Sequence, residues 1–327
     1  MDEKKRLEVG KVSELWRYPV KSMEGTRVEE GVIGKTGMLG DRNWALRDES
    51  IGELSTVRKN PKLLKFKAIY DKEPSPERVS PVTIELPDGS LVKSADDNIN
   101  EKLSAAIGKP VSLWPLQPKT NLQHYRLKVP AGATAMKKQF ATKEMPDMSS
   151  VTWRLMMELA IFATPLGRYH DVYPLHLLTN SSLEKLKLLE PDGDFCVERF
   201  RPNLFIDTGS DSFDFDEFQW VEGKLYIGET VLKVVSRTVR CSMPAQPQVT
   251  MKKDAKVLRA LEAHTQRHLG VNLSVIKPGI IRVGDTVHLE PSNRSGLSRR
   301  VDALSSKLRN GAIQSSFKLI DRLTKKR

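Results

Sequence analysis

Short apolar stretches separated by turn residues dominate the first third of the chain. Residues 15–20, 44–46, 63–70 and 82–86 are apolar or alternate with polar positions, which is typical of β-strands. The dipeptide Asp88-Gly89 between two such stretches indicates a hairpin turn. Residues 98–107 have helical spacing and are followed by glycine and proline, which end helices. This part of the chain is therefore predicted to be mainly β with one helix.

A similar pattern returns after residue 170, with short predicted strands and two predicted helices. The strands are predicted at residues 175–179, 203–208, 225–235 and 281–289, and the helices at residues 183–189 and 254–269. Residues 116–170 are rich in proline and weakly periodic, so they are interpreted as a long connection with local order around residues 153–159.

Many short strands with few helices predict a mainly β, α+β fold with two β-barrel-like domains. The predicted organisation has four parts. They are an N-terminal barrel-like domain (7–118), a connecting segment (119–170), a second barrel-like domain (171–291) and a basic tail (292–327).

Charge separates the tail from the rest of the chain. The 327 residues include 53 Lys and Arg against 41 Asp and Glu, a net charge of +12, and most of the excess lies in residues 293–327. Apolar residues between 301 and 320 recur at helical spacing, which predicts a basic amphipathic helix broken near Gly311. Two interpretations stay open: a solvated helix packed on the body, or contact with an anionic membrane surface or acidic partner. No nucleic-acid-binding motif is recognised, so a nucleic-acid partner is not expected.

Composition predicts a cytoplasmic protein. No apolar run approaches the roughly 18 residues that a membrane span needs. The charged N-terminus has no apolar region behind it, so a secretory signal is not expected. Two cysteines, Cys196 and Cys241, cannot form a disulfide framework. The cysteine count therefore predicts a reducing compartment.

Common catalytic motifs are missing from the sequence. It contains no dinucleotide-binding glycine loop, no phosphate-binding loop and no serine-hydrolase elbow. His264 and His268 have the i, i+4 spacing of a helical zinc site, but the glutamate of the zinc-protease motif is missing. A structural role is favoured for this pair.

Three polar segments are candidate ligand contacts. Lys21-Ser22 follows a predicted strand and is either an anion contact or a surface turn. Arg42, beside Asp41, could form a bidentate fork with a phosphate or pterin, or an ordinary surface pair. Pro202 holds its two neighbours rigidly, which suits recognition of a planar polar ligand or a structural corner.

Cys241 is the candidate reactive group. It follows an apolar strand, with Arg240 adjacent and Arg237 close by, and cationic neighbours favour the thiolate that binds soft metals. The alternative is a buried structural cysteine. Cys196 lies among carboxylates that raise a thiol pKa, so it is predicted to be inert.

Taken in order, these segments resemble the MOSC superfamily, named for the C-terminal domain of molybdenum cofactor sulfurase, together with its N-terminal β-barrel companion. The matching segments are YPVKS (18–22), GDRNW (40–44), STVR (55–58) with Pro61, DVYP (171–174), FRPN (200–203), RC (240–241), and PG (278–279) with VGD (283–285).

The resemblance implies a molybdenum cofactor held between two domains. Its implied ligands are Lys21, Ser22 and Arg42 from the first domain, and Asp171, Arg201, Asn203 and Arg240 from the second, with contacts around His170. Cys241 would be the metal ligand and the catalytic residue. At the level of the family, pyridoxal phosphate binding is also associated with this domain.

Three functions follow from the resemblance. The first is an oxidoreductase of N- or S-oxygenated small molecules, which needs separate electron donor proteins because the chain lacks an iron–sulfur cysteine cluster. The second is a carrier of sulfur or of molybdenum cofactor. The third is a fold retained without the cofactor.

The residues after Cys241 depart from the amidoxime-reducing members of the family. Those members continue with Val-Asp-Pro, whereas this chain continues with Ser-Met-Pro-Ala-Gln-Pro-Gln at positions 242–248. This loop is more similar to that of actinobacterial-type MOSC proteins. The metal ligand is kept, and the loop expected to shape the substrate pocket differs.

Overall fold

The structure, a computed structural model, describes residues 6–145, 151–211, 213–292 and 296–324, with only the backbone described for 296–309. Its strands are β1 (Leu7–Arg17), β2 (Thr26–Val28), β3 (Glu30–Gly34), β4 (Gly37–Met38), β5 (Trp44–Asp48), β6 (Glu53–Leu54), β7 (Lys67–Tyr70), β8 (Val82–Glu85), β9 (Leu91–Lys93), β10 (Val111–Pro115), β11 (Leu175–Thr179), β12 (Leu204–Asp207), β13 (Lys224–Ile227), β14 (Thr230–Val239), β15 (His268–Lys277), β16 (Gly279–Arg282) and β17 (Thr286–Glu290).

Its α-helices are α1 (Ile99–Ile107), α2 (Leu122–Tyr125), α3 (Ala133–Phe140), α4 (Trp153–Ile161), α5 (Asn180–Leu189), α6 (Val197–Phe200), α7 (Ala255–Thr265) and α8 (Gly296–Thr324). Short 3₁₀ turns lie at Pro61–Lys65, Asp216–Trp220 and Met243–Ala245. The prediction of a mainly β fold with some helices is confirmed.

A closed barrel forms the centre of the C-terminal half. Its strand order is β12-β11-β15-β14-β13-β17-β1, and β1 pairs back with β12 to close the ring. Side chains alternate along the strands, so Leu232 and Val234 are fully buried while Lys233 between them is partly exposed. The barrel interior is therefore a packed apolar core.

Strand pairing joins the two halves of the molecule. β1, from the predicted N-terminal domain, pairs with β12 and β17 of the barrel, and β16 pairs with β3. The domain boundaries stay a prediction, and the pairing shows that the halves exchange strands. Because β1 ends at Arg17, the residues that follow it emerge where the halves meet.

Small antiparallel sheets build the N-terminal half. One contains β10, β5 and β6, and another contains β7, β8 and β9. Parallel bridges at Val20–Trp44 and Glu24–Lys67 link the segment after β1 to both sheets. The predicted hairpin at Asp88-Gly89 is the β8–β9 turn. Helix α1 buries Ile99, Leu103 and Ile107 against these sheets.

The connecting segment and the tail fold together. Helices α3 and α4 pack against α8, and Ile313 and Phe317 of α8 are 0% and 1% exposed in their shared core. The predicted break near Gly311 is wrong, because α8 continues through that residue. One glycine costs a helix about 1 kcal/mol, less than burial of these two side chains contributes. Residues 310–324 therefore agree with the first interpretation of the tail, a helix packed on the body.

Candidate functional site

One cleft between the two halves is lined by every sequence-predicted site residue. Lys21, Ser22 and Arg42 line it from the N-terminal half, His170 and Asp171 from the end of the connecting segment, and Arg201, Asn203, Arg240 and Cys241 from the barrel side. Residues up to 220 positions apart in the chain thus face one volume. Their roles in binding stay a prediction.

Three cleft residues have left-handed backbone conformations. Ser22, Arg42 and Arg201 have φ of 72°, 53° and 52°, and they are three of the seven non-glycine residues with positive φ in the described chain. Such conformations cost about 1–3 kcal/mol each and concentrate at functional sites. The Arg42 N–H donates to the Tyr18 carbonyl at 2.7 Å, which holds this strained turn in place.

Tyr18 organises the cationic side of the cleft. The guanidinium carbon of Arg201 lies 4.2 Å from the centre of its ring, and that of Arg42 lies 4.9 Å away. The Tyr18 hydroxyl donates to the Pro202 carbonyl at 3.0 Å, so the ring is fixed between the two halves. Sequence reasoning did not assign Tyr18 a role, although it begins the YPVKS segment. Its ring fixes the positions of two cations that would otherwise repel each other.

Asp41 balances part of this charge from within the protein. It is 2% exposed, pairs with Arg42, and accepts a hydrogen bond from the Tyr18 N–H at 2.9 Å. Burial alone would raise its pKa, but Arg42 and His170 outweigh that effect and hold the pKa of Asp41 at about 2. The surface-pair alternative for Asp41 and Arg42 is therefore wrong.

Lys21 lies inside the cleft rather than on a surface turn. Its side chain is 5% exposed, and its ammonium donates to the Tyr169 carbonyl at 2.9 Å and to Asp171. The Asp171 side chain is 74% exposed and lines the open cleft. Burial raises its pKa, while Lys21 and nearby arginines lower it to about 2. Asp171 is thus ionised at neutral pH.

Two buried guanidinium groups keep unused hydrogen-bond donors. Arg201 and Arg240 are 5% and 6% exposed. Within the described chain, Nη2 of Arg201 and Nε of Arg240 have no hydrogen-bond partner. Burial lowers both pKa values, that of Arg201 to about 10. Unpaired buried donors cost free energy, so an anionic ligand that accepts from them would stabilise the cleft.

Asn203 has a structural use as well as a place in the cleft. Its amide donates to the Trp16 carbonyl at 3.2 Å and accepts from the His176 N–H at 3.2 Å. It is 1% exposed and ties β1 to β11. The structural-corner alternative thus describes these contacts, and any ligand contact by Asn203 would come in addition.

Cys241 lies two residues beyond the end of β14, partly exposed to the cleft. The adjacent Arg240 favours its thiolate, as predicted, but other effects outweigh it in the free thiol. Burial raises the pKa of Cys241 and Asp171 adds to the rise, which outweighs the lowering by Arg240 and the Met243 N–H. Arg237 does not help, because its guanidinium lies over the Phe218 ring, 4.5 Å from the ring centre.

The other candidate groups lie outside this site. Burial, with Asp194, raises the pKa of Cys196 to about 12, which agrees with the predicted inert thiol. His264 lies in the last turn of α7, and His268 begins β15, because Gln266 ends the helix in the left-handed conformation. In the described part of the chain, no three His, Cys, Asp or Glu side chains cluster as a metal site.

Two domain families match the chain. The MOSC N-terminal beta barrel domain matches residues 9–117, and the MOSC domain matches residues 167–288. The chain belongs to the MOSC family. The resemblance predicted from its motifs is confirmed, and residues 118–166 lie outside both matches.

Similar proteins include human mitochondrial amidoxime reducing component 2. It is 28% identical over 313 residues, which cover 87% of this MOSC chain and 85% of the human one. Rice molybdenum cofactor sulfurase is 26% identical over 246 residues, 69% of this chain and 27% of that protein. Among solved structures, the YUAD protein from Bacillus subtilis has a TM-score of 0.41 at 11% identity, covering 87% of this chain and 97% of that one. In the part of this MOSC protein that the structure describes, no helix is long and apolar enough to span a bilayer.

Proposed function

We propose that the cleft holds a molybdenum cofactor and that the protein is an oxidoreductase of N- or S-oxygenated small molecules. The observation that carries the proposal is the convergence of four buried or half-buried cations and one thiol on a single cleft. Two of those cations, Arg201 and Arg240, keep unsatisfied donors. An anionic pterin phosphate would use these donors, and Cys241 would supply a soft metal ligand.

The residues present fit this cofactor. Arg42, Arg201 and Arg240 are the donors for its anionic and planar parts, with Lys21 and the Ser22 hydroxyl beside them. Because the described chain offers no cluster of three metal-binding side chains, most ligands of the metal would come from the cofactor itself. When bound, the cofactor supplies the two-electron chemistry, and the protein positions and tunes it. The electrons would come from separate donor proteins.

The position of Cys241 supports a metal ligand, because the thiol lines the same cleft as the cations that would hold the anionic parts of the cofactor. The similarity of human mitochondrial amidoxime reducing component 2, over most of both chains, also supports a reductase.

Metal and sulfur analysis tests the proposal. Protein purified from a host that makes molybdenum cofactor is expected to contain close to equimolar molybdenum and pterin. Cys241→Ser is expected to lose molybdenum, whereas Cys196→Ser, at the other cysteine, is expected to keep it. Cyanide-labile sulfur without molybdenum would support the carrier function instead. Protein that contains neither molybdenum nor labile sulfur would contradict both functions.

A further inference from the structure

A second cavity adjoins the cationic cleft at Cys241. It shares Ser22, Phe140, Asp171, Val172, Cys241 and Met243 with the cationic cleft. Cys241 therefore lies at the boundary of two volumes that differ in chemistry. A molecule in the second cavity would reach the same reactive centre without displacing groups bound to Arg201 or Arg240.

Most of the wall of this cavity is apolar. Leu54, Val57, Leu127, Met136, Leu159 and Phe162 line it. Its volume is about 130 Å³. An engineered apolar cavity of about 150 Å³ in another protein accommodates benzene, so this one has the size for a single ring.

Much of that wall comes from the part of the chain outside both family matches. Helices α3 and α4 supply Met136, Gln139 and Leu159, which fall within residues 118–166. The C-terminal end of α3 is also fixed to the site, because the Ser242 N–H donates to the Gln139 carbonyl and Arg267 donates to the Phe140 carbonyl at 2.6 Å. Part of the wall beside Cys241 is thus formed by residues outside both family matches.

Of the three charged side chains in this wall, Arg58 is the one that forms no ion pair with a described residue, although the Asp171 carboxylate is close enough to raise its pKa. Lys59 pairs with Glu53, and Asp171 pairs with Lys21. The described hydrogen bond of Arg58 goes to the neutral amide oxygen of Gln139, at 2.7 Å. Arg58 is partly buried, and burial lowers its pKa more than Asp171 raises it, so a carboxylate that formed a bidentate pair with its guanidinium would stabilise the charge.

We propose that this second cavity binds the substrate through a ring-sized apolar group and one carboxylate, with Arg58 as the residue that selects the carboxylate. The substrate class is an aromatic or similarly compact carboxylate bearing the N- or S-oxygenated group that faces Cys241. The reaction part of this inference rests on the proposed function, whereas the binding part rests on the cavity and Arg58 alone.

Benzoate and benzamide are matched probes, since they differ in charge and hardly in shape. Calorimetric titration of the full-length, cofactor-loaded protein is expected to give benzoate at least about tenfold tighter binding than benzamide, the value of one charge-assisted hydrogen bond. Arg58→Met is expected to reduce benzoate binding to the benzamide level and to leave benzamide binding unchanged, which also shows that the variant folds. Arg58→Lys keeps the charge without the planar fork and is expected to be intermediate.

Two controls locate the binding. Met136→Trp fills the cavity and is expected to weaken binding of both probes, whereas Arg282→Met, at an exposed arginine paired with Glu30, is expected to change neither. Equal affinity for both probes in the wild type would overturn the proposal. So would benzoate binding that survives Arg58→Met and is lost in Arg201→Met, because the probe would then lie in the cationic cleft.

Molybdenum content of the same samples separates the two proposals. Protein without molybdenum that still shows Arg58-dependent benzoate binding would reject the proposed function and keep the binding site. Fully loaded protein with no Arg58-dependent binding would reject the binding site and keep the proposed function.

Discussion

Asp41 shows how a single buried carboxylate stabilises a strained, cationic turn. Its neighbour Arg42 has a left-handed backbone and an exposed fraction of only 16% for its side chain. The carboxylate neutralises that guanidinium, accepts from the Tyr18 N–H, and lies 3.3 Å from the His170 ring nitrogen. Loss of its charge would leave a buried arginine without a partner, which is among the most costly changes to a protein interior.

Asp41→Asn is expected to destabilise the protein in a pH-dependent way. The folded-state pKa of Asp41 is about 2, below the ordinary aspartate value of 3.8, so folding favours the ionised form. Its contribution, about 2 kcal/mol, is present above pH 4 and is lost as the pH falls through about 2. In urea unfolding, the gap in unfolding free energy between wild type and variant should narrow by about 1 kcal/mol from pH 6 to pH 3.

A suitable comparison is Asp97→Asn, which changes an exposed carboxylate. That variant should track the wild type at both pH values, within about 0.5 kcal/mol. A gap for Asp41→Asn that stays constant from pH 6 to pH 3 would contradict the lowered pKa of Asp41.

At the scale of elements, α3 depends on a partner from the far end of the chain. Its N-cap residue is Gly132, which has no side chain to satisfy the first N–H groups. Asp321 of α8 supplies the acceptor, because its Oδ2 accepts from both the N–H and the hydroxyl of Thr134 at 2.8 Å. The tail therefore caps the helix that walls the second cavity.

Asp321→Ala is expected to loosen the start of α3. Loss of an N-cap costs about 1 kcal/mol, and the cost falls on a short helix. Hydrogen–deuterium exchange of Thr134 and the following turn should become faster, while exchange in the barrel strands should not change. Asp321→Asn keeps an acceptor oxygen and should give a smaller increase. Unchanged exchange in α3 after Asp321→Ala would show that the cap has no energetic role.

The same elements show what the sequence could and could not predict. Hairpins such as β8–β9 and β13–β14 carry local signals, namely alternation and turn residues, and were predicted. Residues 116–170 were interpreted as a connection with local order around residues 153–159, where the structure has α4, whereas α3 was not predicted. Helix α3 is short, and its apolar residues pack against α8, more than 100 residues away in the chain. Their periodicity could not reveal that partner.

The candidate site, too, could be predicted only where the sequence carries a local motif. Lys21, Arg42, Arg201 and Cys241 were predicted because their motifs resemble a family, and the structure brings them into one cleft. Arg58 belonged to a matching segment, but only the fold shows that its guanidinium faces a cavity beside Cys241. The raised pKa of Cys241 was also beyond the sequence, because burial depends on packing from both halves.

At the scale of the whole molecule, three distant parts of the chain meet at the site. β1 closes the barrel, residues 18–22 continue from it into the cleft, and α8 returns to cover α3 and α4. A tail that inserted its apolar face into a membrane would first have to leave this core. Because Ile313 and Phe317 are fully buried, that release would expose apolar surface on the body as well as on the tail.

Phe317→Ala is expected to weaken this packing by about 3 kcal/mol, the lower end of the cost of truncating a buried phenylalanine. Phe317 is 1% exposed, whereas Leu319 on the same helix is 54% exposed, so Leu319→Ala is the matched control and should cost less than about 0.5 kcal/mol. Limited proteolysis should cut the connecting segment and α8 faster in Phe317→Ala, with the barrel still resistant. Equal cleavage of the two variants would mean that α8 does not hold the cavity wall in solution, and the second cavity would then lose its structural support.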